Sequence, residues 1–542
     1  MANQVSERAE EPVTTGSAFA GAQYLMGLQL FTKLATFAMN IVIVRLAGIE
    51  SFGVASVDFE LLLATLLFLS REGMRNALLR TTSDPPTRST QRKPGAKDQL
   101  LINASLVPIA IGMVMADCAY LVYARGSNNE RRMAMVIYIV AAWVELCVEP
   151  LYVLSRARVL FKVQAKCEGI AVAARCATVA MLLIIGRQMA VDDDNPFSLV
   201  AFAAGQMAYA LTILAAYAWY MSCELEYRVW HCYVPRKSSA GYFVMPETRS
   251  MAVTFAGQSL LKHFLTQGDN MILAMHASDA VKGTFALVTN YGSIPARIIF
   301  LPLEEASRAM FSRQSNGSPI ENAKLARRVL DILGKFQFLL GAILVVFGTL
   351  YSPTLLALLG QNDKATSAAM VMYCLYLPLM GVNGFLEAFV HSVADRTQLV
   401  QANAWMIVCT VTYAIFSVQA LSVLQFGSAG IVAANMGNMA MRIAYCAKFI
   451  KQWFQSKRLP GPKISEMLPH RNVILACAGS ALAIIITQSY AGKDTLLMRL
   501  MSLGVGGLLG LAVLATIWKY ERKFIGAVQD LKSGNVDKLK TD

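Results

Sequence analysis

Apolar residues in this chain gather into long runs and do not alternate with polar ones, so the pattern predicts helices buried on all sides and no half-exposed strands. About 14 helical stretches reach the roughly 20 residues that cross a hydrocarbon core. Their limits are 17–46, 52–80, 99–124, 132–155, 161–187, 197–222, 250–277, 282–310, 327–351, 366–392, 396–421, 426–450, 472–491 and 495–518. The last two are the cleanest, since Val473 to Ser489 holds no formal charge. The first, fifth, seventh and eighth carry ionisable groups well inside. Met1 to Glu11 is polar and acid-leaning, unlike the basic start of a cleaved signal.

Composition agrees with a lipid solvent. Over 542 residues, 56% are hydrophobic and only 15% charged, where soluble proteins carry about 25% charged residues. A soluble enzyme, a secreted disulfide scaffold and a disordered chain are excluded on that ground. The net charge of +14 is then read through the loops. With the N-terminus in the cytosol, the cytosolic loops receive Arg88, Arg92, Lys93, Arg156, Arg158, Arg236, Lys237, Arg327, Arg328, Lys457 and Arg458, among others. The opposite loops hold few, chiefly Arg125, Arg131, Arg132, Lys364 and Lys493, and one carries Asp192, Asp193 and Asp194. Cytosolic loops are richer in Lys and Arg by roughly three to one, which sets the orientation. An even number of spans returns the C-terminus to the cytosol. There Lys538 and Lys540 form a dilysine-type ending, a receptor-read address of endoplasmic reticulum membrane proteins with the COPI coat as the expected reader.

Little points to catalysis. The ten cysteines contain no C-x-x-C pair, the five histidines show no metal spacing, and no G-x-x-x-x-G-K-[ST] loop occurs. The expectation is no metal, no cofactor and no enzyme activity. Two N-x-[ST] sequons, at Asn103 and Asn316, fall in a span and in a cytosolic loop, so neither is expected to carry glycan.

An internal echo recurs at a lag of six spans. Span two ends on Glu72, Arg75 and Arg80 after Phe68-Leu69; span eight ends on Glu305, Arg308 and Arg313 after Phe300-Leu301. Spans four and ten repeat Glu-x8-Arg as Glu149 to Arg158 and Glu387 to Arg396, each followed by Val-Gln-Ala. An even lag makes related helices parallel. The predicted fold is an all-α polytopic membrane protein with two pseudo-symmetric six-helix lobes plus two extra helices. Its layout is a cytosolic tail (1–16), an N-lobe (17–222), a linker (223–249), a C-lobe (250–450), a loop (451–471), helices 13–14 (472–518) and a cytosolic tail (519–542).

Ionisable groups at bilayer depth are costly unless paired or wet, so they mark either ion pairs or a cavity. Lys33 lies roughly 24 Å along span one at 1.5 Å per residue. Arg71, Glu72 and Arg75 occupy span two, and Lys262 and Asp269 span seven. Arg297 sits beside Pro295 in span eight, before Glu304 and Glu305, and Arg442 lies in span twelve. Glu145, Glu149 and Glu387 are available as partners. Two readings stay open: ion pairs that fix helix packing, or a cationic cleft that binds an anion through Lys33, Arg71, Arg75, Lys262, Arg297 and Arg442, phosphate being a good match for Arg and Lys.

At these residues the chain resembles the RFT family of endoplasmic reticulum proteins of N-glycan assembly, within the multidrug/oligosaccharidyl-lipid/polysaccharide exporter superfamily. The resemblance rests on Phe37 to Asn40, Ser70-Arg71-Glu72 with Arg75, Glu149-Pro150, Leu265 to Asp269, and Asn290-Tyr291-Gly292-Ser293. It continues through Ala296-Arg297, Phe300, Pro302, Glu304 and Glu305, then Val382-Asn383-Gly384 with Glu387, and Ala434-Asn435 with Asn438-Met439 and Arg442-Ile443. It implies a fold like that of the bacterial lipid II flippase and a dolichyl-diphosphate-linked oligosaccharide as ligand, flipped between leaflets by alternating access without ATP hydrolysis. A non-transporting accessory protein of the dolichol pathway and an ion-coupled exporter are the alternatives.

Overall fold

The computed structural model describes residues 41–81, 96–123, 128–158, 160–189, 198–223, 228–237, 242–312, 319–490 and 496–532. All regular structure among them is helical. The predicted span one, with Lys33, lies almost wholly outside the described residues, as do Asp192 to Asp194, Arg313, the Asn316 sequon and the Lys538 and Lys540 ending. Among the described residues, ten helices are long and apolar enough to cross a bilayer, which makes this a multi-pass membrane protein.

The chain divides into two compact units. One contains Met1–Gly48 and Leu62–Leu261, the other Ile49–Leu61 and Lys262–Asp542. Residues 49–61, which the sequence pattern groups with the first lobe, therefore pack with the second unit. They form α1 (Ile49–Gly53) and a π-helical turn (Val54–Phe59) that runs on into α2 (Glu60–Thr81). Two contacts hold them there. Asp58 accepts a hydrogen bond from Lys282 Nζ at 3.0 Å, both groups being buried. Gly53 meets Gly283 so closely that a Cβ on Gly53 would lie 2.2 Å from the Gly283 backbone nitrogen. Only glycine permits that approach, in the manner of small-residue crossings between membrane helices.

The first unit continues with α3 (Ala96–Tyr123), α4 (Asn129–Leu146), α5 (Glu149–Ala157), α6 (Phe161–Met189) and α7 (Ser198–Cys223), and ends within α8 (Pro246–His276). Its core joins Leu78, Ile102, Leu151, Leu154, Tyr217 and Met221. The segment between α7 and α8 folds onto this core. A 3-10 turn (Val229–Cys232) buries Cys232, and burial pushes its thiol up to about 11. Asn103 Nδ2 donates to the carbonyls of Arg236 and Phe243. The amide of this sequon is thus buried and fully engaged.

The second unit holds the remaining helices. They are α9 (Asp279–Gly292), α10 (Leu301–Ser312), α11 (Pro319–Ile343), α12 (Thr349–Leu358), α13 (Lys364–Val393), α14 (Arg396–Ser422) and α15 (Gly427–Ser456). A short α16 (Ile464–Met467) precedes α17 (Arg471–Tyr490), α18 (Leu496–Tyr520) and α19 (Arg522–Lys532). Phe311, Leu330, Phe389, Ile450 and Phe454 centre one core. The α17–α18 hairpin packs on α11 through Leu339, Val473, Cys477 and Val513, and Lys335 pairs with Glu521 at 2.7 Å. The outer faces of α17 and α18 expose Leu475, Leu482, Leu508 and Leu511, as lipid contact requires.

Helices α8, α9 and α15, in the predicted spans seven, eight and twelve, are not among the ten apolar ones. They carry Lys262, Asp269, Lys282 and Arg442. Pro295 also interrupts span eight: α9 stops at Gly292, and the chain resumes as a π-helical turn over Ala296–Phe300 before α10. A proline cannot donate its backbone nitrogen, so the ladder loses one bond there, while Arg297 N still donates to Ser293 O at 3.0 Å. That break places Arg297 in the first turn after it.

Candidate functional site

In the first unit, Arg71 and Arg75 are one turn apart on α2, and Glu145 and Glu149 stand four residues apart where α4 gives way to α5. The two spacings match. Arg71 Nη1 donates to Glu145 Oε1 at 3.0 Å and lies 3.5 Å from Glu149 Oε1. Arg75 grips Glu149 with both arms of its fork, Nε donating to Oε2 at 2.9 Å and Nη2 to Oε1. Its guanidinium also lies over the Tyr152 ring, 4.0 Å from the centroid. Glu149 is 1% exposed. Charges in such a setting stay ionised only as a hydrogen-bonded set. Of the two readings open for Arg71 and Arg75, ion pairing with facing carboxylates is the one these contacts display. Glu72 turns aside and accepts from Asn76 Nδ2 at 3.4 Å.

The second unit repeats one part of this arrangement. Arg442 on α15 forks onto Glu387 of α13, Nε to Oε1 at 2.7 Å and Nη2 to Oε2 at 2.8 Å. Arg442, like Arg75, thus has its charge balanced by a carboxylate. Glu304 accepts from Arg308 on its own helix at 2.7 Å. Glu305 and Lys262 are exposed.

Arg297 differs from these cations. It is exposed and makes no ion pair among the described residues. Beside it stands Tyr373 of α13, whose ring lies close against Gly292 and within electrostatic reach of both Arg297 and Asp269. Tyr376, one turn on, meets the Tyr373 ring edge to face at 5.5 Å and is within reach of Arg442. Tyr413 of α14 lies against Asp269. Tyrosines therefore link Arg297, Asp269 and the Arg442–Glu387 pair inside one unit. Asn290 Nδ2, Asn383 Oδ1 and Asn438 Oδ1 are buried nearby in chain position and have no hydrogen-bond partner among the described residues. Buried polar atoms left open in this way mark places where a ligand or water completes the bonding.

Sequence reasoning named the charged members of this site and missed Tyr373, Tyr376 and Tyr413. A signal existed: Tyr373 and Tyr376 are three residues apart in an apolar span, next to Pro378. Among the described residues no three metal-ligating side chains converge.

Comparisons with known proteins cover nearly the whole chain. A family model described as Rft protein matches residues 17–530. The chain is 28% identical over 522 residues to the "Man(5)GlcNAc(2)-PP-dolichol translocation protein RFT1" of Yarrowia lipolytica, covering 89% of this chain and 77% of that one. It is 30% identical over 463 residues to the protein of the same description from Eremothecium gossypii, covering 80% of this chain and 83% of that one. Among solved structures, the inward closed conformation of the lipid II flippase MurJ aligns at a TM-score of 0.60 with 12% identity, covering 92% of this chain and 99% of that one. At that identity the likeness establishes the fold.

Proposed function

Because the chain belongs to the Rft protein family, we propose that it moves a dolichyl-diphosphate-linked oligosaccharide from the cytosolic to the luminal leaflet of the endoplasmic reticulum membrane, by alternating access and without hydrolysing ATP. The proposed orientation keeps both termini in the cytosol, where Lys538 and Lys540 are read by the COPI coat. The proposed lobes are residues 17–222 and 250–450, related by the echo of Glu149 in Glu387.

The observation that carries the reading is Arg297, an arginine with no ion pair among the described residues, placed just after Pro295 in a polar membrane helix. A guanidinium offers a planar fork of donors that suits a diphosphate, and an unpaired one has its donors available. Lys262 of the same unit adds a point charge to the ligand. Tyr373 and Asn290 supply neutral donors around it. Arg71, Arg75 and Arg442 hold helices together, and each would reach phosphate only by releasing a carboxylate.

Proteoliposomes carrying the authentic lipid-linked glycan test this. The protein should accelerate crossing of the glycan lipid, and Arg297→Ala should lower the rate tenfold or more while the protein stays folded. The ion pairs of Arg71, Arg75 and Arg442 favour one other reading, a protein that binds or organises the dolichol pathway without transport. Crossing rates unchanged by the protein, with glycosylation still failing in its absence, would select that reading.

A further inference from the structure

Away from Arg297, the second unit has a cavity of about 470 Å³ where α9, α13 and α15 begin and α1 passes. That volume is within the roughly 300–1,000 Å³ of small-molecule sites. Glu50, Thr284, Asp363, Phe426 and Ser428 line it. We propose that this cavity is a sugar-binding subsite, taking a neutral mono- or disaccharide portion of the glycan. The inference rests on the function proposed above.

Small apolar residues such as Ala280, Val281, Ala365 and Ala368 complete the walls, and the polar and aromatic groups among them argue for a polyol. Ser428 is 3% exposed and lines the cavity, where its hydroxyl can donate or accept. Thr284 shares only a long 3.4 Å contact with Thr366. Phe426 is 63% exposed at the rim. It is flanked by Gln425 at φ 52° and Gly427 at φ 58°, two left-handed residues that turn the chain and present the ring. A pyranose has an apolar C–H face that stacks on such a ring and a belt of hydroxyls that donate and accept.

The acids narrow the choice. Asp363 accepts from the Thr366 amide and hydroxyl at 2.9 and 3.1 Å, and those backbone hydrogen bonds hold its carboxyl below the usual carboxylate range. It is therefore ionised throughout the physiological range, and with Glu50 it repels phosphate. The cavity thus disfavours the diphosphate end of the ligand. A structural cation is disfavoured as well, since no cluster of three ligating side chains exists among the described residues. Acceptors, hydroxyls and an exposed aromatic face remain, and together they suit a sugar.

The probe is free mannopentaose, titrated onto the full-length protein in nanodiscs and read by saturation-transfer NMR. Saturable binding is expected, and Phe426→Ala should weaken it about fivefold while Phe426→Trp retains it, as an aromatic stacking contact requires. Glu50→Gln should weaken it about threefold. Pyrophosphate should not compete. Phe426 and Glu50 are exposed, so both variants should keep the wild-type melting temperature. No saturable binding by the wild type, equal binding by both variants, or displacement by pyrophosphate would each overturn the proposal. Lipid-linked glycan crossing measured on the same samples separates the two readings. Crossing without sugar binding ends the subsite alone, and sugar binding without crossing ends the transport reading.

Discussion

Glu149 and Glu387 occupy matching positions in the internal echo, and each closes a two-armed grip on an arginine of its own unit. The arginines do not match. Arg75 comes from α2, the helix whose echo is α10, whereas Arg442 comes from α15. Arg308, the echo of Arg75, spends its charge on Glu304 within its own helix. Glu149 also serves Arg71, and Tyr152 roofs Arg75; Glu387 serves one arginine. The first unit therefore pairs both arginines of α2 inside one dense cluster. The second unit spreads its charges along a line of tyrosines and leaves Arg297 unmatched. The two echoed segments share the acid and differ in what it holds, so a shared motif does not here mean a shared role.

The largest expected effect breaks the first cluster. Glu149→Ala strands Arg75 and weakens the hold on Arg71 at a buried site, and removing one partner of a buried pair costs about 3 kcal/mol or more. Thermal unfolding in detergent should show a drop of many degrees, and Glu149→Gln a smaller one, because the amide still accepts one hydrogen bond. A melting temperature unchanged in Glu149→Ala would mean the cluster holds nothing together.

Next comes Gly283→Ala, which tests what holds residues 49–61 to the second unit. Its new Cβ would lie 2.1 Å from the Ile49 carbonyl oxygen. Backbone has to move, at about 2 kcal/mol for overpacking of this kind. Glu387→Ala should cost less, about 1.5 kcal/mol, because Glu387 and Arg442 retain 15% and 21% of their side-chain exposure and water relieves the stranded charge. A double-mutant cycle on Glu387 and Arg442 should return a coupling of about 1 kcal/mol. Coupling near zero would erase the parallel with Glu149.

Much of this was legible before any coordinates, and the reasons are physical. Helices that must satisfy every backbone group inside lipid leave long apolar runs, so α3, α6, α17 and α18 could be read directly. The echo marked Glu149 and Glu387 as equivalent. Partner choice could not be read, because Arg75 and Arg442 stand 74 and 55 residues from their acids. In the first unit a clue was present, the shared spacing of four in Arg71/Arg75 and Glu145/Glu149. The tyrosines escaped notice because Tyr373 and Tyr376 add hydrophobic weight to a span and look like packing. The attachment of residues 49–61 to the second unit was also hidden: Asp58 and Lys282 are single charges 224 positions apart.

Arg297 should give the smallest change in stability and the sharpest contrast between the units. With no ion pair to lose and an exposed side chain, Arg297→Ala should move stability by less than about 0.5 kcal/mol. Its effect should appear in lipid-linked glycan crossing. Arg75→Ala reverses the pattern: it leaves Glu149 buried without its main partner, so unfolding shifts first and any loss of crossing follows from that. Measuring both variants for melting temperature and crossing rate separates the two roles. If Arg297→Ala also lowers the melting temperature by many degrees, Arg297 belongs with the packing arginines, and the proposed diphosphate site loses its central cation. If crossing falls tenfold at constant melting temperature, the unmatched charge is there for the ligand, and the tyrosine line from Arg297 to Arg442 becomes the next set of positions to vary.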